Sequence, residues 1–181
     1  RSWLMGIPTL ISTSTASDAA NVDITSGIDS TYDEYMFVFT DIGPSEDGPI
    51  FSFQANVAGQ SGFNETVTDT VFRSYHTESD TGAISYKTDH DQAQGTAAIK
   101  LTGAIGSGSD ESAAGILHLF SPSSTTYVTH FYSRLNHYGA SDYTADYFVA
   151  GYFNVTGAID EVTFKMESGN FDGVIQMYGI S

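Results

Sequence analysis

The amino-acid sequence predicts an all-β protein, a single-domain β-sandwich or jelly roll of about ten antiparallel strands over residues 1–181. Three observations predict it. Aromatics are abundant, with 11 Tyr, 12 Phe and 1 Trp, and together with Thr they favour pleated, half-buried surfaces. Apolar and polar residues alternate at period two in short segments separated by Gly-, Asp-, Asn- and Ser-rich turns. The segment 167–180 (ESGNFDGVIQMYGI) reads as a turn and then a strand apolar on both faces, which needs a sheet prepared by earlier strands. That makes it a central strand, and a chain cut at Glu167 is expected not to fold.

Taken in order, 7–12 (IPTLIS) reads as a short strand that Pro8 pushes to a sheet edge. Residues 13–20 are small and polar and read as a loop or a weakly paired segment, so 1–20 is an extended N-terminal arm or an edge strand. NVDIT at 21–25 alternates as a second strand, and Gly27, Asp29, Ser30 and Asp33 supply a turn. EYMFVFTDI at 34–42 is the first strong strand. Its expected hairpin partner is 49–58, across the loop GPSEDG. GQSG turns the chain into the Thr/Val-rich strand 64–76, and 83–87 forms a modest strand. Asp89 can cap one helical turn over 89–95. A strand at 97–101 and a flexible, exposed connection at 103–112 follow. Strands are then expected at 113–120, 126–135, 146–154 and 160–166. No repeat marks a propeller, and no heptad or glycine triplet marks a fibre shaft.

Composition excludes several classes of function. The net charge is −16, from 22 acidic and 6 basic residues, so a phosphate backbone and an anionic membrane are both unsuitable partners. The acidic surface reads either as a solubility device or as a cation-attracting one. There is no Cys, which removes disulfides, thiolate metal sites and Cys nucleophiles. No apolar run reaches the roughly 20 residues of a membrane helix. The opening RSWLM is too short for a signal peptide and starts without Met, so a processed or excised chain is expected.

Five histidines could act as base, ligand or switch. His118 and His130 fall on adjacent expected strands and could be cross-strand neighbours, either holding a metal with a carboxylate or packing among aromatics. His76, His90 and His137 are expected to be solvated. The acid pairs Asp33–Glu34, Asp110–Glu111 and Asp160–Glu161 are neighbours in sequence, and on a strand neighbours point to opposite faces, so they do not form the facing pair of a glycoside hydrolase. No cofactor is expected. Calcium has only a compositional signal at Asp29–Asp33 and Asn170–Asp172, without an EF-hand spacing. Asn64 and Asn154 head glycosylation acceptor triplets.

The best candidate contact surface is the expected loop 136–146 (NHYGASDYTAD), with Asn136, His137, Tyr138, Asp142, Tyr143 and Tyr147 as its contact residues and Tyr132 beside it. Exposed Tyr with Asn, His and Asp suits carbohydrate or protein contact, and aromatic loops also simply close the end of a sandwich.

Four stretches carry a family resemblance: DITSGIDSTYDEY (23–35), HLFSPSSTTYVTHFYS (118–133), FVAGYFN (148–154) and the closing SGNFDGVIQMYGI. Together they resemble virion structural proteins of tailed bacteriophages, those of marine and cyanobacterial phages most of all. The resemblance implies a non-enzymatic, β-rich protein on the outer surface of the virus particle, and it carries no catalytic residues. It implies other virion proteins as partners, either the major capsid protein or tail proteins. Head decoration or cement is the leading expectation, as a homo-oligomer with a trimer favoured. A tail-fibre tip that binds a host surface glycan through the Tyr-rich loop is the alternative.

Overall fold

Alternation at period two sorts this chain into two sheets. The computed structural model describes residues 6–181; the opening RSWLM, and with it the start of the expected N-terminal arm, lies outside the described residues. Thirteen strands form: β1 (Thr9–Ala19), β2 (Asn21–Ile24), β3 (Glu34–Pro44), β4 (Ile50–Val57), β5 (Val67–Thr77), β6 (Gly82–Tyr86), β7 (Ala93–Gly95), β8 (Ile99–Ala104), β9 (Ala113–Phe120), β10 (Thr129–Gly139), β11 (Tyr143–Phe153), β12 (Ile159–Met166) and β13 (Phe171–Ile180). The larger sheet runs β1-β13-β3-β9-β10-β11-β5-β6, with β7 also paired to β5. The smaller runs β2-β12-β4-β8. All pairings are antiparallel. The architecture is an all-β, two-sheet sandwich.

Inward residues of both sheets meet in one core. Phe164 of β12 lies 5.3 Å from Phe37, 5.1 Å from Phe39 and 6.1 Å from Phe51, ring centre to ring centre. Phe53 joins Phe131 and Phe153 at 5.2 and 5.9 Å in edge-on contacts. Tilted and edge-on pairs of this kind add to the gain from burial alone. These rings are at most 2% exposed.

β13 lies inside the larger sheet, with Thr9–Ala19 on one side and Glu34–Pro44 on the other. Its Phe171, Ile175 and Met177 enter the core, and Val174, Tyr178 and Ile180 stay half-buried on the other face. Both-face apolarity here did mean an interior strand. Pro8 precedes β1, which is indeed a sheet edge.

Several expectations are corrected. Of the two readings of 13–20, a loop or a weakly paired segment, the loop gives way over 13–19: Ser12 to Ala16 pair with Met177 to Gly173, because an edge strand needs backbone partners on one side only and tolerates small polar side chains. β3 and β4 are not a hairpin. β3 pairs with β13 and β9, and β4 with β12 and β8, so GPSEDG carries the chain across the sandwich. The inward phenylalanines of both strands explain this, since Phe39 and Phe51 meet across the core at 5.4 Å. The expected helical turn at 89–95 is a tight turn in which His90 N and Asp91 N both donate to Lys87 O, followed by β7. The connection 103–112 is not wholly exposed either, since Ile105 is buried and bridges to Gly139.

Candidate functional site

The six predicted contact residues sit on a hairpin. Register runs from Thr129↔Phe153 to Gly139↔Tyr143, leaving only 140–142 as its connection. Asp142 N donates to Gly139 O at 3.1 Å, and Asp142 takes φ +54°, a left-handed turn position that Asp tolerates. The expected loop is therefore mostly strand, and alternation divides its residues. Asn136 and Asp142 are exposed, and Tyr138 and Tyr143 are half-buried. His137 and Tyr147 are 0% and 1% exposed, so both rings lie beneath the surface, His137 at the base of a cleft.

At this end of the hairpin lies an open cleft of about 410 Å³. Asn136, His137, Tyr138, Tyr143 and Thr144 line one wall, and His76, Thr77 and Glu78 from the end of β5 line the other. The Tyr138 hydroxyl lies 3.2 Å from Glu78 Oε1 and 3.4 Å from Asp142 Oδ1, donating to either carboxylate. Partial burial first, then these two carboxylates, push its pKa up to about 12, so it stays a neutral phenol in any ordinary medium. Asn136 Nδ2 donates to Thr144 Oγ1 at 2.8 Å and to Ala145 O at 3.0 Å. The cleft thus presents an aromatic wall, hydroxyls and carboxylates, which suits a neutral polar ligand and repels an anion.

Behind the cleft is a buried polar cluster that sequence reasoning missed. His90, expected to be solvated, is 6% exposed, and its ring lies 5.4 Å from Tyr147. His137, expected likewise, lies on another side of Tyr147, also at 5.4 Å. Arg73 Nη1 donates to Tyr147 Oη at 3.3 Å, and its guanidinium stands 4.9 Å over the Tyr75 ring. Neither ring nitrogen of His137 has a hydrogen-bond partner. Burial, reinforced by Arg73 and His90, holds its pKa down to about 4, so the ring is neutral at pH 7. Gly103 makes room for the cluster, because a Cβ there would stand 2.6 Å from Tyr147 Oη. His76, by contrast, is exposed, with Nε2 3.4 Å from Asp80.

His118 and His130 are not direct partners. Register places His118 opposite Tyr132 and His130 opposite Phe120. His118 Nδ1 is hydrogen-bonded to Glu34, and its ring stacks on Tyr132 at 4.6 Å. Among the described residues no group of three or more His, Asp or Glu could hold a metal ion. Two of the carboxylates noted for calcium accept backbone hydrogen bonds: Asp29 Oδ1 from Thr31 N within its own turn at 2.7 Å, and Asp172 Oδ1 from Asp18 N of β1 at 2.8 Å.

A second surface emerges from the register. On the outer face of the larger sheet, one row runs Tyr86, Phe72, Phe148, Arg134, Ile116, Val38. The next runs Thr70, Ala150, Tyr132, His118, Met36, Tyr178, Leu10, and a third Thr68, Tyr152, His130, Phe120, Glu34, Ile180. Phe72 and Phe148 stack flat at 4.7 Å. Phe120 and Tyr132 stack at 5.6 Å. Two adjoining hollows of about 200 and 450 Å³ share Thr70, Tyr132 and Ala150 as floor and wall. Of the seven exposed large apolar side chains among the described residues, Leu10, Phe72, Ile84, Tyr86 and Tyr132 belong to this face. Concentration of exposed apolar area on one face marks an interaction surface.

No protein-family model, curated protein or solved structure matches the chain.

Proposed function

We propose that the chain is a non-enzymatic structural protein on the outer surface of a bacteriophage particle, most simply a head decoration or cement subunit. It would work by burying the outer face of its larger sheet against the capsid lattice or against sister subunits. The observation that carries this reading is that face: eight strands wide, aromatic, and carrying five of the exposed large apolar side chains of the described residues. The phage-like stretches at 23–35, 118–133, 148–154 and 168–180 supply the particle. All four contribute directly to the face, through Glu34, through His118, Phe120, His130 and Tyr132, through Phe148, Ala150 and Tyr152, and through Val174, Tyr178 and Ile180. We carry the jelly-roll subclass as part of the same proposal, supported by the repeated crossing of the chain between the sheets at β1–β2, β2–β3, β3–β4, β4–β5, β7–β8, β8–β9, β11–β12 and β12–β13.

The test is copy number and position. A decoration subunit is present in numbers set by the capsid lattice. Quantifying the band in purified particles and locating the protein on imaged ones supports the proposal if it coats the head, and rejects it if the protein is absent from the particle.

A second reading, a tail-fibre tip that binds a host glycan, is favoured by the cleft at the end of β10–β11, where Asn136, Tyr138 and Tyr143 meet Glu78. Under it, Tyr138→Ala and Tyr143→Ala abolish adsorption to the host. Unchanged adsorption by both removes it.

A further inference from the structure

We propose that the outer face of the larger sheet packs against the same face of a second copy of this chain, about a two-fold axis. The inference rests on the reading of that face as a docking surface, and adds the partner.

Charge selects the partner. Two chains of −16 repel each other wherever their carboxylates meet. Across the three rows described above the formal charges are Glu34 and Arg134 alone, with Asp146 in the next row. Each carboxylate is already matched: Glu34 by its hydrogen bond to His118, and Asp146 by Arg134, whose Nε and Nη2 donate to it at 2.9 and 2.7 Å. Glu34, Arg134 and Asp146 sum to a single negative charge against −16 for the whole chain, so the face is a weakly charged window in an acidic shell, and a like-charged copy can approach there.

Size agrees. From β13 to β6 there are six inter-strand steps; at about 4.8 Å each, over about seven residues of strand at 3.4 Å, the face covers roughly 700 Å². A stable interface buries about 800 Å² per partner.

Symmetry follows from what else is exposed. A two-fold pairing uses one patch on both copies, whereas a three-fold ring needs two different patches on each. Outside this face the exposed large apolar side chains among the described residues are Ile7 and Tyr127, too few for a second patch. The proposed assembly is therefore a dimer, where the phage resemblance implies a trimer.

Sedimentation velocity over a concentration series tests this. The parent chain sediments as a monomer–dimer mixture, and added salt raises the dimer fraction by screening the surrounding carboxylates. Tyr132→Glu and Phe72→Glu, each at a site 44% exposed, weaken the dimer by about 30-fold or more and leave the melting curve in place. Tyr127→Glu, off the face, leaves the dimer intact. A parent chain that stays monomeric at every concentration and salt overturns the proposal, as does a dimer that survives both face substitutions. Incorporation of Tyr132→Glu into particles is scored separately. Its loss beside a monomeric parent keeps the docking face and removes self-pairing.

Discussion

Replacing His137 by Leu makes the protein gain stability, relative to the parent chain, as pH falls from about 6.5 to about 4. In the parent the His137 pKa is depressed from 6.5 to about 4, by burial first and then by Arg73 and His90. Between those pH values the unfolded chain holds the imidazole proton and the folded one does not, so acidification favours unfolding. At about 1.4 kcal/mol per pH unit the gap is worth about 3 kcal/mol, and with His137 0% exposed no solvent screening reduces it. Asp69 works in the opposite sense over nearly the same range. Burial raises its pKa from 3.8 to about 6, against the hydrogen bond it accepts from Gln92 N at 2.6 Å. The folded chain therefore keeps a proton that the unfolded one has lost, and this contribution, also about 3 kcal/mol, is present below pH 3.8 and lost as pH rises through about 6. The two slopes offset each other between about pH 4 and 6. Urea unfolding at half-unit pH steps separates them: the His137→Leu difference from parent grows on acidification, and the Asp69→Asn difference grows on alkalisation. Both variants tracking the parent at constant offset across this range would refute the reasoning.

Three further outcomes follow from packing and topology. Phe164→Ala removes the ring that Phe37, Phe39, Phe51 and Phe53 surround, and lowers the unfolding free energy by about 3–5 kcal/mol in denaturant titration. Gly115→Ala puts a Cβ 2.3 Å from Arg134 O and 2.7 Å from Leu135 Cα, which are backbone atoms of the neighbouring strand and cannot swing aside; a loss of about 3 kcal/mol or more, or insoluble expression, is expected. Truncation at Glu167 removes β13 and leaves β1 without its partner and β3 with one open side, so no cooperative melting transition remains. A soluble, cooperatively melting fragment would contradict that.

Period-two alternation made most of the strands legible, and β9 falls on its expected bounds, 113–120. What it could not give was partnership. Phe37 and Phe39 announce an inward face equally well for a hairpin and for a crossing between sheets, and only the packing of Phe39 on Phe51 across the core decides. The Tyr-rich segment reads as an exposed contact loop in the sequence, and that reading hid the alternation that sends His137 and Tyr147 inward from the strands lining the cleft. In the same way, Ala145 and Tyr147 alternate with Asp146, a strand signal masked by Gly139 and the polar residues beside it. His90 escaped because burial of a turn residue depends on which sheet the turn folds across. The outer face was half legible. Apolarity on both sides of β13 marks an interior strand, while the face that Phe72, Phe148 and Tyr152 share depends on the register of β5 against β11, which alternation alone does not give.

The pairing of β1 with β13 also bears on how the chain comes to be folded. Ala19 pairs with Phe171, 152 positions later, and the hydrogen-bonded partner of β1 is β13. Synthesis at about 5–20 residues per second leaves the first strand waiting on the order of ten to thirty seconds for its partner to emerge. Over that interval its edge is an open template for another nascent chain. Contacts between segments so distant in sequence also slow folding in general. The Ser, Thr and Asp residues of TLISTSTASDA suit that interval, since they keep the waiting strand soluble.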